Sequence, residues 1–113
     1  MEKFRKQLNK GLLELSILKL LDEEDQYGYS IMTEVDKRSN QKLTLKEGTL
    51  YPILYRLEDQ NHIESYWKTE EELRSKPRKY YKLTTNGKTY YEEMLEVYLE
   101  VSNGMNNLLG RGH

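Results

Sequence analysis

The sequence predicts a mostly α-helical fold with a small β-hairpin, arranged as a winged helix-turn-helix followed by a long C-terminal dimerisation helix. Three observations predict this fold. Apolar residues recur with helical spacing in separate segments before residue 60. The spacing then changes to two over residues 63–68, and a second strand of aromatic and basic residues follows at 78–83. Beyond residue 85, apolar residues recur every three or four positions, as in a coiled-coil helix.

Composition limits the classes of protein to which the chain can belong. Its 113 residues suffice for one domain, and 36% hydrophobic against 33% charged residues predicts a thin core that gains from burial between chains. The absence of cysteine excludes disulfides, thiolate metal sites and a cysteine nucleophile. The apolar run at 12–21 is too short and too polar for a membrane span or a secretory signal, so we expect a soluble, cytoplasmic protein.

The N-terminal segment predicts a basic arm and a buried helix. Phe4 and Leu8 lie four residues apart among basic residues, which indicates a short amphipathic arm. Gly11 either interrupts this arm or tightens a helix–helix contact. The leucines and isoleucine of residues 12–21 cover most sides of a helix, and such a helix is usually buried. An acidic connector follows at residues 22–26.

A second helix is predicted to open at Tyr27-Gly28-Tyr29. Tyr27, Ile31 and Val35 then share one face. The helix should end near Arg38, because a cation in the last turn followed by asparagine is typical of a helix C-terminus.

The segment Lys46–Asp59 has two contrasting faces and is the predicted DNA-recognition helix. Its apolar face consists of Leu50, Ile53, Leu54 and Leu57. The other side carries aromatic and hydrogen-bonding groups rather than the Lys/Glu pairs of a passive surface helix: Gly48, Thr49, Tyr51, Pro52, Tyr55, Arg56 and Asp59. Such a helix suits insertion into a DNA groove. The alternative is that Tyr51 and Tyr55 are half-buried packing residues.

The start of this helix carries conflicting signals. Thr44 and Glu47 have the spacing of a capping box. Pro52, however, lacks an amide donor and crowds the carbonyl of Gly48. Either the helix begins later than Thr44 or its first turns are bent.

Residues 63–83 predict a basic hairpin, the wing. The first strand alternates outward and inward residues, and Trp67 is expected in the core. In the second strand one of Tyr80 and Tyr81 should be buried and the other exposed. The loop that joins the strands is polar and its tip is basic. The cations at the tip are Arg74, Lys76, Arg78 and Lys79.

The net charge of −1 does not exclude a nucleic-acid partner, because the charges are segregated. Basic residues cluster at 3–10 and 74–82, and acidic residues cluster at 22–25 and 70–72. This distribution permits a positive DNA-binding face on a nearly neutral protein. The alternative is an ordinary solvated surface.

The C-terminal helix, capped by Thr84 or Thr85, is predicted to form a homodimer and defines two regions, residues 1–84 for DNA binding and residues 85–113 for dimerisation. The predicted dimer seam comprises Tyr91, Met94, Leu95, Tyr98, Val101, Met105 and Leu108, broadened by Leu109. The alternative is a helix that lies back over its own domain. Asn103, Gly104, Asn106 and Asn107 should weaken the helix, and residues 110–113 should fray.

Several motifs resemble the PadR-like family of transcriptional regulators. The resemblance rests on Tyr27-Gly28-Tyr29-Ser30-Ile31, on Glu47-Gly48-Thr49-Leu50-Tyr51-Pro52 with Tyr55-Arg56-Leu57-Glu58, and on Arg78-Lys79-Tyr80-Tyr81-Lys82-Leu83-Thr84 with Gly87. It extends from about Leu12 to Gly87, and the short C-terminal part is similar to the smaller subfamily with one dimerising helix. The segment before the two wing tyrosines departs from the family pattern, since it contains Ser75-Lys76-Pro77 preceded by three glutamates.

The resemblance implies a DNA-binding regulator, more often a repressor than an activator, that acts as a homodimer on a near-palindromic operator. Two recognition helices would enter successive major grooves roughly 34 Å apart. Its predicted DNA ligands are Lys46, Gly48, Thr49, Tyr51, Pro52, Tyr55 and Arg56 in the recognition helix and Lys76, Arg78 and Lys79 in the wing. We expect neither an enzyme nor a cofactor or metal site, because no catalytic or phosphate-loop motif occurs. A protein-interaction adaptor that does not bind DNA specifically is the alternative function.

The resemblance also implies a site for a planar aromatic or phenolic effector between the dimer's last helices and the rest of the fold. The residues expected to line it are Leu8, Leu12, Met94, Tyr98 and Val101. Methionine suits an adaptable apolar pocket. The alternative is that Tyr98 and the methionines only pack the dimer core.

Overall fold

The computed structural model describes residues 1–69 and 76–111, which form helices around a small antiparallel sheet. In chain order the elements are α1 (Glu2–Glu23), β1 (Gln26–Tyr27), α2 (Gly28–Arg38), α3 (Glu47–Asp59), β2 (Ile63–Lys68), β3 (Arg78–Leu83) and α4 (Thr85–Leu109). This is a winged helix-turn-helix with a long C-terminal helix, which confirms the predicted fold class.

The core lies between α1, α2, α3 and the inner face of the sheet. Its buried apolar residues are Leu13, Ile17, Leu18, Leu20, Leu21, Ile31, Val35, Leu45, Leu50, Leu54, Leu57, Ile63, Tyr81 and Tyr91. The helical members recur with the 3.6-residue period, so each helix turns one stripe inward. Each fully buried leucine contributes about 2 kcal/mol relative to an exposed one. The predicted apolar face of α3 is therefore the face that packs, and so is that of α2 at Ile31 and Val35. Tyr27, predicted on the same face, instead precedes α2 and packs against Tyr80.

Helix α1 is one continuous helix rather than an arm followed by a helix. Gly11 lies within it, and a Cβ there would meet no atom within 4 Å from any described part of the chain outside its own helical turns. Gly11 therefore neither interrupts the helix nor makes a close contact within one chain. The C-terminal half of α1 is in the core, whereas Phe4 and Leu8 are exposed.

The sheet has the strand order β1-β3-β2, and all its pairs are antiparallel. The two-residue strand β1 pairs with β3 through Gln26–Tyr81 and Tyr27–Tyr80. This third strand was not predicted from the sequence. It closes one edge of the hairpin and fixes the start of α2 beside the wing, since Tyr27 is also the N-cap of α2.

The two wing tyrosines are both buried, so the prediction that one is exposed is wrong. Tyr81 faces the helices, and Tyr80 is covered on the outer face by Tyr27 and Tyr66, with ring centroids 5.3 and 5.8 Å away. The hydroxyl of Tyr66 donates a 2.6 Å hydrogen bond to Asp25, which raises the pKa of Tyr66 to about 12. The outer face of the sheet is thus a packed aromatic layer.

Trp67 is exposed, which contradicts its predicted place in the core. It shares a strand face with Ile63 and Ser65, as the alternation indicates. Exposure increases along that face toward the wing tip, from 2% at Ile63 to 68% at Trp67. The strand face was predicted correctly, but the core ends before Trp67.

Helix α4 begins at a joint with the turn after α3. The side chain of Thr84 caps the helix by accepting from the amide of Gly87 at 2.9 Å, and Thr84 also donates to the carbonyl of Asn61 at 2.7 Å. The His62 ring stacks on Tyr90 with centroids 3.9 Å apart. Gly87 must be glycine here, because an added Cβ would overlap the carbonyl of His62.

The far end of α4 is a regular helix despite its asparagines and glycine. The helix continues through Gly104 and Asn107 to Leu109, so the predicted weakening does not interrupt it. Gly110 ends it in the left-handed conformation at φ 73°, and the amide of Arg111 bonds to the carbonyl of Asn106 at 2.8 Å. Residues 110 and 111 thus form a defined cap. Residues 112 and 113 lie outside the described part of the chain.

Candidate nucleic-acid interface

Helix α3 presents a continuous exposed face opposite its buried leucines. Its exposed residues are Glu47, Gly48, Thr49, Pro52, Tyr55, Arg56 and Asp59, preceded by exposed Lys46. Tyr51 is half-buried, and its ring lies 6.2 Å from that of Tyr55. The alternative that these tyrosines are half-buried packing residues therefore holds for Tyr51. It does not hold for Tyr55, which is more than half exposed.

The start of α3 differs from the predicted capping box. Lys46 is the N-cap, no side chain caps the helix, and the carbonyl of Lys46 accepts from the amides of Thr49 and Leu50. The helix thus begins after Thr44, one of the two outcomes that Pro52 allowed. The side chain of Glu47 lies in the first turn, where a carboxylate is favoured by the helix dipole.

Arg56 of α3 forms an ion pair with α1. Its guanidinium donates to the carboxylate of Glu14 at 2.5 Å, and the hydroxyl of Tyr90 lies 3.5 Å from the same carboxylate. Burial raises the pKa of Tyr90. The pair joins α3 to α1, and α4 contributes its tyrosine. The side chain of Arg56 is still 48% exposed, and its role as a phosphate ligand stays a prediction.

The wing carries cations that are fixed over aromatic rings. The guanidinium of Arg78 lies 4.7 Å from the ring centroid of Tyr27, and the ammonium groups of Lys79 and Lys68 lie 5.8 and 5.3 Å from those of Tyr81 and Tyr80. Such contacts stabilise by about 0.5–1 kcal/mol at exposed sites. Lys76 is exposed next to the strand. Predicted tip residue Arg74 lies outside the described residues.

A cleft of about 400 Å³ joins these features. It is lined by Tyr27, Gly28, Tyr29, Tyr51, Arg78, Lys79 and Tyr81. Of these residues, only Tyr51, Arg78 and Lys79 are among the DNA ligands that the sequence predicts. The others were missed because β1, which brings the start of α2 to the wing, is too short to give an alternation signal. The Tyr-Gly-Tyr sequence was the available clue.

The predicted dimer seam and effector site lie away from this cleft. Tyr91 is buried and Met94 and Leu95 pack against the core, whereas the remaining seam residues are exposed in the single chain: Tyr98, Val101, Met105 and Leu108. Of the predicted effector residues, Leu8 is exposed and Leu12 is half-buried. None of those effector residues lines the cleft, nor a smaller cavity between α1 and α2.

The fold and this surface define a class of protein, the winged helix-turn-helix DNA-binding proteins. A model of the PadR-like transcriptional regulator family matches residues 17–93. The chain therefore belongs to the PadR-like family and is a DNA-binding transcriptional regulator, not an enzyme, as the sequence predicted.

Similar proteins support the same assignment. A PadR-like transcriptional regulator from Bacillus cereus is 35% identical, with 91% of this chain and 96% of that chain covered and a TM-score of 0.79. A transcriptional regulator from Clostridium thermocellum is 32% identical, with 89% and 96% covered and a TM-score of 0.79. An uncharacterised protein of Lysinibacillus sphaericus is 38% identical over 97 residues, which are 86% of this chain and 87% of that protein.

Among the helices of residues 1–69 and 76–111, none combines the length and the apolar character that a bilayer span requires.

Proposed function

We propose that the protein is a homodimeric cytoplasmic repressor that binds a near-palindromic operator. Residues 1–84 form its DNA-binding region and residues 85–113 its dimerisation helix. The observation that carries the proposal is the exposed face of α3, next to Tyr51, which lines the same cleft as the wing cations Arg78 and Lys79. The opposite face of α3 is held in the core by Leu50, Leu54 and Leu57. A compact dimer that occupies a promoter blocks polymerase without further machinery.

The recognition face divides by chemistry. Thr49 and Tyr55 are exposed hydrogen-bonding groups on α3 and are suited to base edges, and Gly48 and Pro52 allow close approach. Lys46, Lys76, Arg78 and Lys79 supply the charge that phosphates require. Backbone contacts give affinity and base contacts give sequence choice.

The dimer is proposed from the exposed half of the seam. The apolar side chains of Tyr98, Val101, Met105 and Leu108 form a row on one helix face, and an exposed apolar row of this size indicates an interface. Pairing two copies of α4 buries it and relates two recognition helices by a two-fold axis.

Release by a planar aromatic or phenolic effector is a further part of the proposal. Leu8, Leu12, Met94, Tyr98 and Val101 would form the site only when a partner helix closes it. Such an effector would shift the population between dimer arrangements with different spacing of the recognition helices. Isothermal titration of the dimer with phenolic acids and planar aromatic drugs tests this, and absence of heat with every compound contradicts it.

The DNA-binding proposal is tested on a duplex selected from a random library by repeated binding to the protein. Fluorescence anisotropy then gives the affinity for the selected duplex and for random duplex across salt concentrations. If Lys46, Lys76, Arg78 and Lys79 of both protomers neutralise phosphates, log K falls against log salt with a slope of about −7. Lys79→Ala should reduce the slope by about 2 for both duplexes.

Two results would contradict the proposal. Recovery of no preferred duplex, with equal affinity for all sequences, removes sequence-specific regulation. No binding even at low salt favours the protein-interaction adaptor. Transcription from a promoter that contains the selected site then distinguishes repression from activation.

A further inference from the structure

Tyr81 is a buried residue whose hydroxyl has no hydrogen-bond partner among the described residues. Tyr81 is only 2% exposed, yet no described residue forms a hydrogen bond with its hydroxyl. Every buried side-chain polar atom among the described residues does have a partner. The Tyr81 hydroxyl is therefore not sealed in the core and reaches the cleft that the residue lines.

A second phenol lies in the same cleft. The hydroxyl of Tyr51 rests against Gly28, and a methyl group at Gly28 would overlap it. Gly28 is the first residue of α2, where the amides of Gly28 and Tyr29 have no acceptor within the helix. The absence of a side chain at Gly28 thus brings the Tyr51 hydroxyl to the positive end of a helix dipole.

The other groups at the cleft favour an anion. Arg78 and Lys79 line it, and their positions over Tyr27 and Tyr81 hold both cations beside it. Among residues 1–69 and 76–111, no carboxylate lines it. Glu58, which acts on Tyr81 electrostatically, accepts a 2.6 Å hydrogen bond from Ser65 and lies outside the cleft lining.

We propose that this cleft seats one phosphodiester group of the DNA backbone, with the hydroxyls of Tyr51 and Tyr81 as donors and Arg78 and Lys79 as the balancing charges. The inference rests on the proposed function and assigns Tyr51 to a phosphate rather than to a base edge. Helix N-termini and charge-assisted donors are the groups that bind phosphate in proteins. Burial raises the pKa of Tyr81 to about 12, so the phenol remains a donor at neutral pH.

The variant Tyr81→Phe tests the seat because it removes only the hydroxyl. No described residue loses a hydrogen bond, so the thermal midpoint should be unchanged or higher. Affinity for the selected duplex and for random duplex should fall by the same factor, about 10-fold, because phosphates are present in every sequence. Tyr51→Phe should likewise weaken binding to both duplexes by the same factor.

Tyr66→Phe is the matched control. It removes a phenol hydroxyl from the opposite face of the same sheet, but that hydroxyl donates to Asp25. The control should lower the thermal midpoint and leave the affinity of the folded protein unchanged. Tyr81→Phe should therefore weaken DNA binding without lowering stability, whereas Tyr66→Phe should lower stability without weakening DNA binding.

Methylphosphonate substitution identifies the phosphate itself. Each phosphate of the selected duplex is replaced in turn by its neutral analogue. At one position in each half-site, neutralising the phosphate should cost the wild-type protein more affinity than it costs Tyr81→Phe, because the variant has already lost one of the donors to that phosphate.

Three results would overturn the inference. They are unchanged DNA affinity of Tyr81→Phe, the absence of coupling at every phosphate, and a Tyr51→Phe defect confined to the selected duplex. Each can occur with wild-type protein that selects a duplex normally, so it refutes the phosphate seat and leaves the proposed function standing. Failure of the wild-type protein to bind any DNA refutes both.

Discussion

The two halves of α4 have the same apolar spacing and opposite surroundings. In the first half, Tyr91 is buried and Met94 and Leu95 pack against the core. In the second half, seam residues from Tyr98 to Leu108 are 42–79% exposed. Because the helix is continuous, the difference comes from how far the rest of the chain extends along it.

This comparison separates what one chain stabilises from what requires another molecule. The first half is fixed by a side-chain cap, by a glycine in contact with the preceding turn and by an ion pair to α1. The second half has no such attachment among the described residues. The first turns of α1 also expose apolar residues, Phe4 and Leu8. We therefore expect changes in the first half to affect folding and changes in the second half to affect assembly.

The largest expected effect comes from placing a charge in the second half. Val101→Asp would bury two carboxylates, one from each protomer, in a symmetric dimer. Neither would have a cation to offset the cost of removing its charge from water. The dimer dissociation constant should rise by at least about 100-fold, and DNA affinity should fall because the half-sites are no longer bound together. Sedimentation equilibrium and anisotropy measure the two effects.

Asn103→Asp is the control for this experiment, since residue 103 lies on the other side of the helix from the seam. It introduces the same charge and should leave the dimer intact. Circular dichroism should show normal helix content for both variants. A dimeric Val101→Asp protein would mean that the second half of α4 faces no partner.

The next effect tests the joint at the first half. An alanine at Gly87 would overlap the His62 carbonyl and crowd Leu83, and overpacking of this kind costs about 1–3 kcal/mol. Gly87→Ala should therefore lower the thermal midpoint by about 10 °C. Gly104→Ala, in the second half of the same helix, meets no atom of this chain within 4 Å and should be neutral or stabilising by up to about 1 kcal/mol. Equal effects at both glycines would abolish the distinction between the halves.

A smaller effect tests the cap. Thr84→Ala removes the acceptor for the Gly87 amide and the donor to Asn61, which should cost about 1 kcal/mol in urea denaturation. Thr85→Ala is the matched control and should change stability by less than about 0.5 kcal/mol. If Thr85→Ala destabilises the protein more than Thr84→Ala does, the N-cap of α4 is Thr85 and the helix starts one residue later.

Features set by a local repeat of residues could be predicted from the sequence, whereas features set by distant contacts could not. Local spacing identified the buried faces of α2 and α3, because each face is set by a period within one segment. Both Thr84 and Thr85 have cap chemistry, and only the position of Asn61 distinguishes them. Thr44 and Glu47 have capping-box spacing, yet the helix begins after Thr44 and Lys46 is its N-cap.

The wing errors have a common physical cause. Alternation predicts which face of a strand a residue occupies, but not what covers that face or where the covering layer ends. Tyr80 is buried because Tyr27, from a strand that is distant in sequence, packs against its ring. Trp67 is exposed because the core ends before it. The cleft beside the wing was missed for the same reason, since its lining comes from four elements, β1, α2, α3 and β3, of which only β1 and α2 are adjacent in sequence.

The smallest expected effect concerns the ion pair that ties the first half of α4 to α1. The ammonium of Lys88 bonds to Asp22 at 2.5 Å, and this bond raises the pKa of Lys88 above its ordinary value of 10.5. A raised lysine pKa means that the pair stabilises the fold fully below that ordinary value and stops doing so as pH rises through the raised one. Lys88→Met should therefore lower the thermal midpoint slightly at neutral pH, by less than Thr84→Ala, because exposed pairs are screened by solvent.

The difference between wild type and Lys88→Met should close in about 1 M salt and again in strongly alkaline buffer. Lys42→Met is the control, since residue 42 is exposed in the loop between α2 and α3 and should show no salt-dependent difference. A difference that persists in high salt would mean that the stem of Lys88 acts by packing rather than by charge. In that case, only packing and the Thr84 cap would hold the first half of α4. The difference between the two halves would then come from burial of apolar surface, with no contribution from this ion pair.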